Sequence, residues 1–220
     1  MTSSVLNHVP RAEPSTAPLP FDALLDSEAN VACHERPLPS EIATALEKVA
    51  AGPLFAVKTT LYADAPDLSE HLEAVSDLRA RAFLEADMTA MVRQFAAQLD
   101  RRHVQASLAV VTNDACRKYH VDHVTVRLIC TYAGPGTEWL RDEDVERKNL
   151  ARTDVEVDAA NRSVLREGGS VRHCRAGDIL LLKGERFEGN RGRGAVHRSP
   201  PIARQGLRRL VFKIDPKLCC

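Results

Sequence analysis

Apolar residues recur at helical spacing along the chain between positions 40 and 99. One predicted helix begins with Ser40 as its N-cap and ends before Gly52-Pro53, which does not continue a helix. A second helix begins at Ser69, and a third extends to about Leu99. The apolar positions of the three stripes are Ile42, Ala45, Leu46 and Val49, then Leu72, Val75 and Leu78, then Met88, Met91, Val92, Phe95 and Leu99. We expect each stripe to face a core.

After the charged break at residues 100–103, the pattern changes to short apolar runs separated by turn residues, which is typical of β-strands. The predicted strands are Leu54 to Tyr62, Val104 to Val111, Val121 to Tyr132, Ser170 to His173, Ile179 to Leu182 and Leu207 to Ile214. Because most strands follow the helices, the order favours an α+β fold with helices packed on one face of an antiparallel sheet or barrel. Residues 29–103 would form a mainly helical support layer, and residues 104–216 a β-barrel core.

The start of the chain lacks such a pattern. Residues 1–28 are rich in Pro and aperiodic, which predicts a disordered tail preceding a single domain at 29–220. This stretch has no basic segment leading into an apolar one, and no apolar run in the chain is long enough to cross a bilayer. Six cysteines without CxxC spacing indicate reduced thiols, and the terminal pair Cys219-Cys220 is interpreted as incidental. We therefore expect a cytoplasmic protein with no membrane partner.

Charge changes this picture only locally. The 30 basic and 30 acidic residues balance, so the whole chain has no electrostatic preference for nucleic acid or membrane. Between Lys183 and Lys213, however, nine basic residues stand against two acidic ones, an excess of seven. An anionic substrate near this stretch would explain the excess, and ordinary solvated loop charge is the alternative. Aromatic residues are not interleaved for base stacking, so no nucleic-acid partner is expected.

The candidate chemistry begins with the pair His120 and Asp122, one residue apart. If the run from His120 to Leu128 is one strand, alternation places both polar side chains on the same face as Val124, Val126 and Leu128, which we interpret as the interior. Burying an imidazole and a carboxylate is costly without a partner, and a divalent metal satisfies both. The alternative is a solvated strand start.

A third candidate ligand, His197, follows a loop rich in Gly and Arg, where a new strand could begin. Two His and one carboxylate form a facial triad that leaves three metal positions open, as iron-dependent oxygen chemistry requires. In the last predicted strand, Arg208 shares a face with Leu210, Phe212 and Ile214. This alternation predicts an inward Arg208 that binds a carboxylate in bidentate fashion, with Arg209 and Lys213 outward. An exposed Arg208 at the strand end is the alternative.

These residues and the Gly206-Leu207-Arg208 step resemble the iron(II)- and 2-oxoglutarate-dependent oxygenases, particularly those similar to prolyl hydroxylases. The resemblance implies a double-stranded β-helix, a jelly-roll or cupin-like barrel, with Fe(II) and the small-molecule cosubstrate 2-oxoglutarate as cofactors of a hydroxylase-type reaction. It implies three metal ligands and one cosubstrate-binding residue, namely His120, Asp122, His197 and Arg208. Further candidates for the cofactor pocket are Tyr132 and Arg127. The gap from His197 to Arg208 is one residue longer than in that family.

More closely, the segments Cys116 to Leu140 and Gly177 to Pro200 resemble a bacterial family known as domain of unknown function 1826, which has no established activity. An association of some members with zinc-homeostasis genes implies an alternative, a zinc-binding protein with Cys116 or His123 as additional ligands. A third possibility is a metal-free β-barrel binding module in which the His and Asp are structural. The substrate and the oligomeric state are not predicted.

Overall fold

The computed structural model describes residues 18–25 and 29–217. The helices in these ranges are α1 (Phe21–Leu25), α2 (Ser40–Ala51), α3 (Ser69–Leu72), α4 (Leu78–Gln98) and α5 (Val157–Val164). The strands are β1 (Val31–His34), β2 (Ala56–Tyr62), β3 (His103–Val111), β4 (Val126–Ala133), β5 (Glu138–Trp139), β6 (Arg172–His173), β7 (Ile179–Lys183), β8 (His197–Arg198) and β9 (Arg209–Pro216). The fold is α+β, as predicted.

The strands form two antiparallel sheets. The large sheet has six strands in the order β1-β7-β4-β9-β3-β2, and the small sheet has three in the order β6-β5-β8. In the large sheet, β9 is central and pairs with β3 on one side and β4 on the other. In the small sheet, two reciprocal backbone hydrogen bonds between His120 and His197, of 3.0 and 3.1 Å, add a further segment beside β8. This pairing in the small sheet therefore places residues 120 and 197 next to each other.

One face of the large sheet shares a core with the helices. The apolar stripes of α2 and α4 are buried together with alternate residues of the central strands, such as Leu128 on β4 and Phe212 on β9. Each such fully buried side chain stabilises the fold by about 1.5–3 kcal/mol through loss of contact with water. This face is therefore closed by helices.

A buried ionic network joins the helices to the sheet on this same side. The Arg36 guanidinium forms a two-point ion pair with Asp87 of α4, with 2.7 Å between Nη2 and Oδ2, and Arg36 Nε donates to the Gly177 carbonyl oxygen. The Tyr132 hydroxyl donates to Asp87 Oδ2 at 2.7 Å. Burial, reinforced by the Asp87 charge, raises the pKa of Tyr132 well above its usual range. Tyr132 thus holds the two layers together as a neutral hydrogen-bond donor.

The opposite face of the large sheet packs against the small sheet around a second apolar cluster. Its buried members are Ile129, Cys174, Leu180, Leu182, Ala195 and Val211, with Trp139 packed beside them. Because strand residues alternate, the same face of β4 carries Arg127 and Thr131, and the same face of β9 carries Arg209 and Lys213. This intersheet space is where the candidate site lies.

Several element boundaries differ from the predicted ones. Ser40 is the first helical residue of α2 and not its N-cap; Pro39 holds that position and makes no side-chain cap. The helix predicted from Ser69 is only the four-residue α3. The long helix α4 begins after Asp77, whose carboxylate accepts hydrogen bonds from the backbone N–H groups of the second and third residues that follow it, Arg79 and Ala80. An acceptor placed to satisfy free N–H groups fixes this start better than the apolar pattern does.

The predicted tail at 1–28 falls partly outside the described residues, which omit 1–17 and 26–28. Within it, however, Leu19, Phe21 and Leu24 are buried in the helix-side core, and the Phe21 ring lies 5.7 Å from that of Phe95. Folded chain therefore begins before position 29. Cys219 and Cys220 lie outside the described residues. None of the described helices is both long enough and apolar enough to span a membrane, and the cytoplasmic location stays a prediction.

Candidate metal centre

The structure brings His120, Asp122 and His197 together. His197 begins β8, His120 pairs with it through the backbone, and Asp122 follows two residues later in the segment that leads into β4. One ligand atom from each of the three lies within 4.8 Å of the others. Asp122 Oδ2 is 3.2 Å from His197 Nε2, and Asp122 Oδ1 is 3.8 Å from His120 Nε2. Neighbouring ligand atoms of an ion with bonds near 2.1 Å lie about 3 Å apart. A small decrease in the distances between these three side chains would therefore let all of them bind one ion.

The two imidazoles are oriented by backbone carbonyls. His120 Nδ1 lies 2.9 Å from the Lys118 carbonyl oxygen, and His197 Nδ1 lies 3.0 Å from the Ala195 carbonyl oxygen. A carbonyl oxygen only accepts hydrogen bonds, so with a metal bound at Nε2 each Nδ1 would carry the proton and donate it to its carbonyl. Both Nε2 atoms are the ones close to Asp122. This tautomer is the one in which histidine binds a metal through Nε2.

Asp122 is held as a carboxylate by the Arg127 guanidinium and the two neighbouring imidazoles. Its Oδ2 lies 2.7 Å from Arg127 Nη1, and the rest of the Arg127 guanidinium forms a two-point contact with Asp215 at 2.7 and 2.8 Å. Burial alone would raise the pKa of Asp122, but His197, Arg127 and His120 hold it well below its usual range. Asp122 Oδ2 is nevertheless buried without a well-aligned hydrogen bond among the described residues. This oxygen faces the Arg127 guanidinium on one side and His197 Nε2 on the other, where a metal ion would bind.

The protonation state of the site also suits metal binding. Burial, followed by the neighbouring His197, lowers the pKa of His120 below its ordinary value of 6.5, so this imidazole is neutral at pH 7. Neutral imidazole nitrogen and carboxylate oxygen are suitable ligands for divalent iron and for catalytic zinc. Three protein ligands leave further positions open on either ion. The residues present therefore fit a mononuclear divalent metal.

The prediction that residues 120 to 128 form one strand with a single inward face was wrong. β4 begins only at Val126, and the chain bends at residues 123–125, so alternation is not continuous from the ligands into the strand. Val126 and Leu128 belong to the helix-side core. Arg127, between them, points to the triad side and contacts Asp122. Within β4, Arg127 faces the triad because it alternates with Val126 and Leu128, which face the helices.

Arg208 lies away from the triad. Its Nη1 donates to the carbonyl oxygens of Ala50 and Gly52, at 3.1 and 2.6 Å, and so binds the C-terminal end of α2 on the helix side of the sheet. It does share a face with Leu210 and Phe212, but that face packs on the helices. Both faces of β9 are covered, so the apolar alternation alone did not tell which one faces the space between the sheets. Tyr132, bound to Asp87, is on the helix side as well.

Arg209, expected to face outward, is buried instead, with 2% of its surface exposed. Its Nη2 lies 3.0 Å from Thr131 Oγ1 and 3.2 Å from Thr137 Oγ1, while its Nε has no hydrogen-bond partner in the described part of the chain. None of the described carboxylates forms an ion pair with it. Burial lowers the pKa of Arg209 to about 10, so the guanidinium is still charged at neutral pH. A buried cation without an anionic partner calls for one.

Arg209 lines a cavity of about 330 Å³ together with Cys116, Thr137, Ser199 and Lys213. The lining also includes Lys58 and contains no Asp or Glu. In the pairing of β5 with β8, Trp139 is opposite His197, and Thr137 and Ser199 lie two residues further along, just beyond the ends of the two strands. The lining of the cationic cavity thus comes within two residues of His197 along the chain, and it includes none of the three triad residues.

The remaining candidates are not part of the ligand group. Cys116 is exposed, with its backbone oxygen accepting from the Ser199 N–H at 2.9 Å and a φ of 63°, and His123 is exposed as well. Neither side chain belongs to the group of ligand atoms formed by the triad. The nine basic residues between 183 and 213 do not form one surface, because Lys183 and Arg209 are buried and Arg198 pairs with Glu138 at 2.6 Å.

Comparison with known proteins adds a family but no activity. The family model described as "Protein of unknown function (DUF1826)" matches residues 15–215, and no curated protein matches the chain. One similar solved structure is the dioxygenase for auxin oxidation 1 from Arabidopsis thaliana as a 2-oxoglutarate complex, with 10% identity over 87% of this chain and 85% of that chain and a TM-score of 0.45. Another is a Pseudomonas putida prolyl-4-hydroxylase, with 12% identity over 90% of this chain and 92% of that chain and a TM-score of 0.45. A third is HygX from Streptomyces hygroscopicus with nickel and 2-oxoglutarate bound (13% identity, 92% and 88%, TM-score 0.44). Such distant likenesses do not bear on function.

Proposed function

The chain belongs to the family described as "Protein of unknown function (DUF1826)", and on the basis of its site we propose that it is an iron(II)- and 2-oxoglutarate-dependent oxygenase of the hydroxylase type. The observation that carries this proposal is the convergence of His120 Nε2, His197 Nε2 and the Asp122 carboxylate, with both Nδ1 atoms held by backbone carbonyls. Two imidazoles and one carboxylate are the facial triad of non-haem iron oxygenases.

The arrangement of the strands supports the same assignment. The central strands of the large sheet, β3, β9, β4 and β7, face the segment at His120 and the three strands β8, β5 and β6. Four antiparallel segments opposite four others are what a double-stranded β-helix requires. We therefore propose that the intersheet space is the interior of such a barrel.

The cofactors supply the reactive chemistry, and the protein supplies binding and orientation. Iron(II) with 2-oxoglutarate would provide an oxidant from dioxygen, with succinate and carbon dioxide as by-products. His120, Asp122 and His197 would hold the ion. Arg127 keeps the Asp122 carboxylate in place, and the surrounding apolar residues exclude water.

We propose Arg209, in place of Arg208, as the residue that binds the distal carboxylate of 2-oxoglutarate. Its guanidinium is buried, lacks an ion-pair partner among the described residues and lines the cationic cavity together with Thr137 and Ser199. The hydroxyls of Thr131 and Thr137, already in contact with Nη2, would stand beside the bound carboxylate. A two-point contact with a carboxylate is the geometry that a guanidinium favours.

The test is a binding titration on protein purified without oxygen. With iron(II) added, 2-oxoglutarate should produce the visible charge-transfer band of an iron chelate. Arg209→Gln should raise the dissociation constant of 2-oxoglutarate roughly 30-fold or more, the effect of losing about 2 kcal/mol from a buried charged contact. Arg208→Gln, which changes the neighbouring residue on the helix side, is the matched control and should leave the constant within about twofold of wild type.

Two outcomes would count against the proposal. Equal losses in the two variants would remove the assigned role of Arg209. An absent band, together with one tightly bound zinc per chain, would favour the zinc-binding alternative, for which the same two His and one Asp are also suitable ligands.

A further inference from the structure

Two cysteines distant in sequence lie side by side at the edge of the intersheet core. The sulfur atoms of Cys33, on β1, and Cys174, shortly before β7, are 3.9 Å apart although 141 positions separate them. Both belong to the apolar cluster between the sheets. A disulfide bond is about 2.05 Å long, so forming one requires the two sulfurs to approach by roughly 2 Å.

The two thiols differ in exposure. β1 is an edge strand that pairs only with β7, and Cys33 is half-buried there. Cys174 is 7% exposed, and its backbone N–H donates to the Thr137 carbonyl oxygen at 3.0 Å. A dissolved oxidant therefore reaches the Cys33 sulfur more readily than the buried Cys174 sulfur.

We propose that Cys33 and Cys174 are a redox-active dithiol that closes to a reversible disulfide under mild oxidation. With a peroxide as oxidant, the Cys33 thiol becomes a sulfenic acid with release of water or an alcohol. The Cys174 sulfur then attacks the Cys33 sulfur and displaces the hydroxyl group as a second water. Two thiols lose two hydrogens and two electrons in total, and the peroxide is reduced.

The electrostatic surroundings agree with this order of events. The hydrogen bond with Cys174 lowers the pKa of Cys33, whereas the same contact and burial raise the pKa of Cys174. The thiolate is the reactive form of cysteine, so Cys33 is the sulfur that reacts with the oxidant.

The other described cysteines lack such a partner. Cys116 is exposed, and its sulfur has no sulfur contact among the described residues. Cys130 is buried on the helix side, where its sulfur lies near the Gly177 carbonyl oxygen and Arg36 Nη2, at 3.8 and 3.7 Å. These two residues therefore serve as internal references for the reactivity of the pair.

A disulfide between Cys33 and Cys174 would have a defined structural effect. It would join the edge of the large sheet to the segment that pairs with Thr137, whose hydroxyl contacts Arg209. The proposal does not depend on the metal or on the assigned activity, because it concerns two sulfurs and an external oxidant only.

The experiment treats the reduced full-length chain with a small excess of hydrogen peroxide, alkylates the remaining thiols and maps the peptides by mass spectrometry. We expect a crosslinked peptide pair containing Cys33 and Cys174, lost after dithiothreitol. The oxidised protein should melt about 5 °C higher than the reduced protein, because the crosslink closes a long loop.

Cys33→Ser and Cys174→Ser should each abolish the crosslink and the rise in melting temperature, and Cys116→Ser, the matched control, should preserve both. Stable over-oxidation of Cys33 without a crosslink in the wild-type chain would overturn the proposal. So would a crosslink of either residue mainly to a different cysteine. Both outcomes are read in the wild type, so the test holds even if a variant folds poorly.

Discussion

At the scale of single residues, the candidate site depends on which atom of each side chain is already engaged. Each imidazole of the triad has its Nδ1 bound to a backbone carbonyl, and the Asp122 carboxylate keeps a buried oxygen without an aligned hydrogen bond. Removing either imidazole therefore removes a metal bond and one hydrogen bond to the backbone, whereas removing Asp122 also breaks its ion pair with Arg127.

The first prediction concerns His197. His197→Ala should reduce bound divalent metal from one per chain to a small fraction, because two ligands do not retain an ion against dialysis. Metal content after loading with iron(II) or cobalt(II) and dialysis measures this. His123→Ala, at an exposed neighbouring histidine, is the control and should bind metal as the wild type does. Equal metal content in His197→Ala and the wild type would show that His197 is not a ligand, and no retained metal in either would favour the metal-free binding module.

The second prediction concerns Arg127, which joins Asp122 to Asp215. Arg127→Met leaves two largely buried carboxylates without their shared cation, so we expect the free energy of unfolding to fall by about 3 kcal/mol. Metal affinity should fall about tenfold, because Asp122 loses the group that orients it. Denaturant unfolding and a metal titration measure the two effects. Asp215→Asn should retain most of the metal affinity, and an equal loss there would contradict the positioning role of Arg127.

At the scale of elements, the sequence predicted best the segments with a clear apolar pattern, either one apolar face of a helix or a continuous apolar strand. α2 and α4 are apolar on one side and polar on the other, and β7 is a continuous apolar run. Strand β6 lies within the predicted strand Ser170 to His173, whereas the two-residue β5 is too short for alternation to be recognised, and β1 was not predicted. The triad could be found because ligand type and order persist without exact strand bounds.

The cosubstrate-binding residue could not be assigned in the same way. β9 is buried on both faces, with Phe212 against the helices and Val211 against the small sheet. An apolar row then marks burial but not the direction of the barrel interior, so Arg208 and Arg209 are equivalent in the sequence. Only the packing of α2 against β9 distinguishes them.

The third prediction tests how closely the backbone packs behind Asp122. A Cβ at Gly184 would lie 2.1 Å from the Val124 carbonyl oxygen and 2.8 Å from that of Asp122. Gly184→Ala must therefore displace the segment that carries the ligand. It should lower the free energy of unfolding by about 2 kcal/mol and weaken metal binding.

Asp77→Ala provides the comparison for this variant. It removes the N-cap of α4, on the helix side, and should cost about 1 kcal/mol of stability without changing metal affinity. Metal affinities of the two variants, measured at a temperature where both are folded, show whether the change at Gly184 acts on the metal site or only on stability. An unaffected affinity in Gly184→Ala would mean that the segment at Asp122 adjusts without moving its carboxylate.

At the scale of the whole molecule, stability should depend on pH through buried histidine. His71 is fully buried between α3 and β3, and burial lowers its pKa below 6.5 in spite of the hydrogen bond with the Ala106 carbonyl oxygen. Above pH 6.5 both the folded and the unfolded chain hold a neutral His71, so the residue contributes no pH dependence. Below it, the unfolded chain binds a proton that the folded chain does not, and stability is lost as the pH falls.

The fourth prediction follows from this sign. Between pH 6.5 and the lower pKa of the folded state, His71 should reduce the free energy of unfolding by up to about 1.4 kcal/mol per pH unit. His71→Leu should make the dependence shallower over this range. Urea unfolding of both proteins at a series of pH values measures the difference. If the free energy of unfolding depends on pH equally in both proteins, His71 has the same pKa in the folded and the unfolded chain.

The reciprocal backbone hydrogen bonds between His120 and His197 have one more consequence. The sheet fixes the spacing of the two imidazoles before any ion arrives, so binding requires little ordering of the chain. A rigid cage with ordinary nitrogen and oxygen donors discriminates weakly between divalent ions of similar radius, and copper or nickel would outcompete iron at equal concentration. Which element occupies the site in a living cell would then be decided by supply.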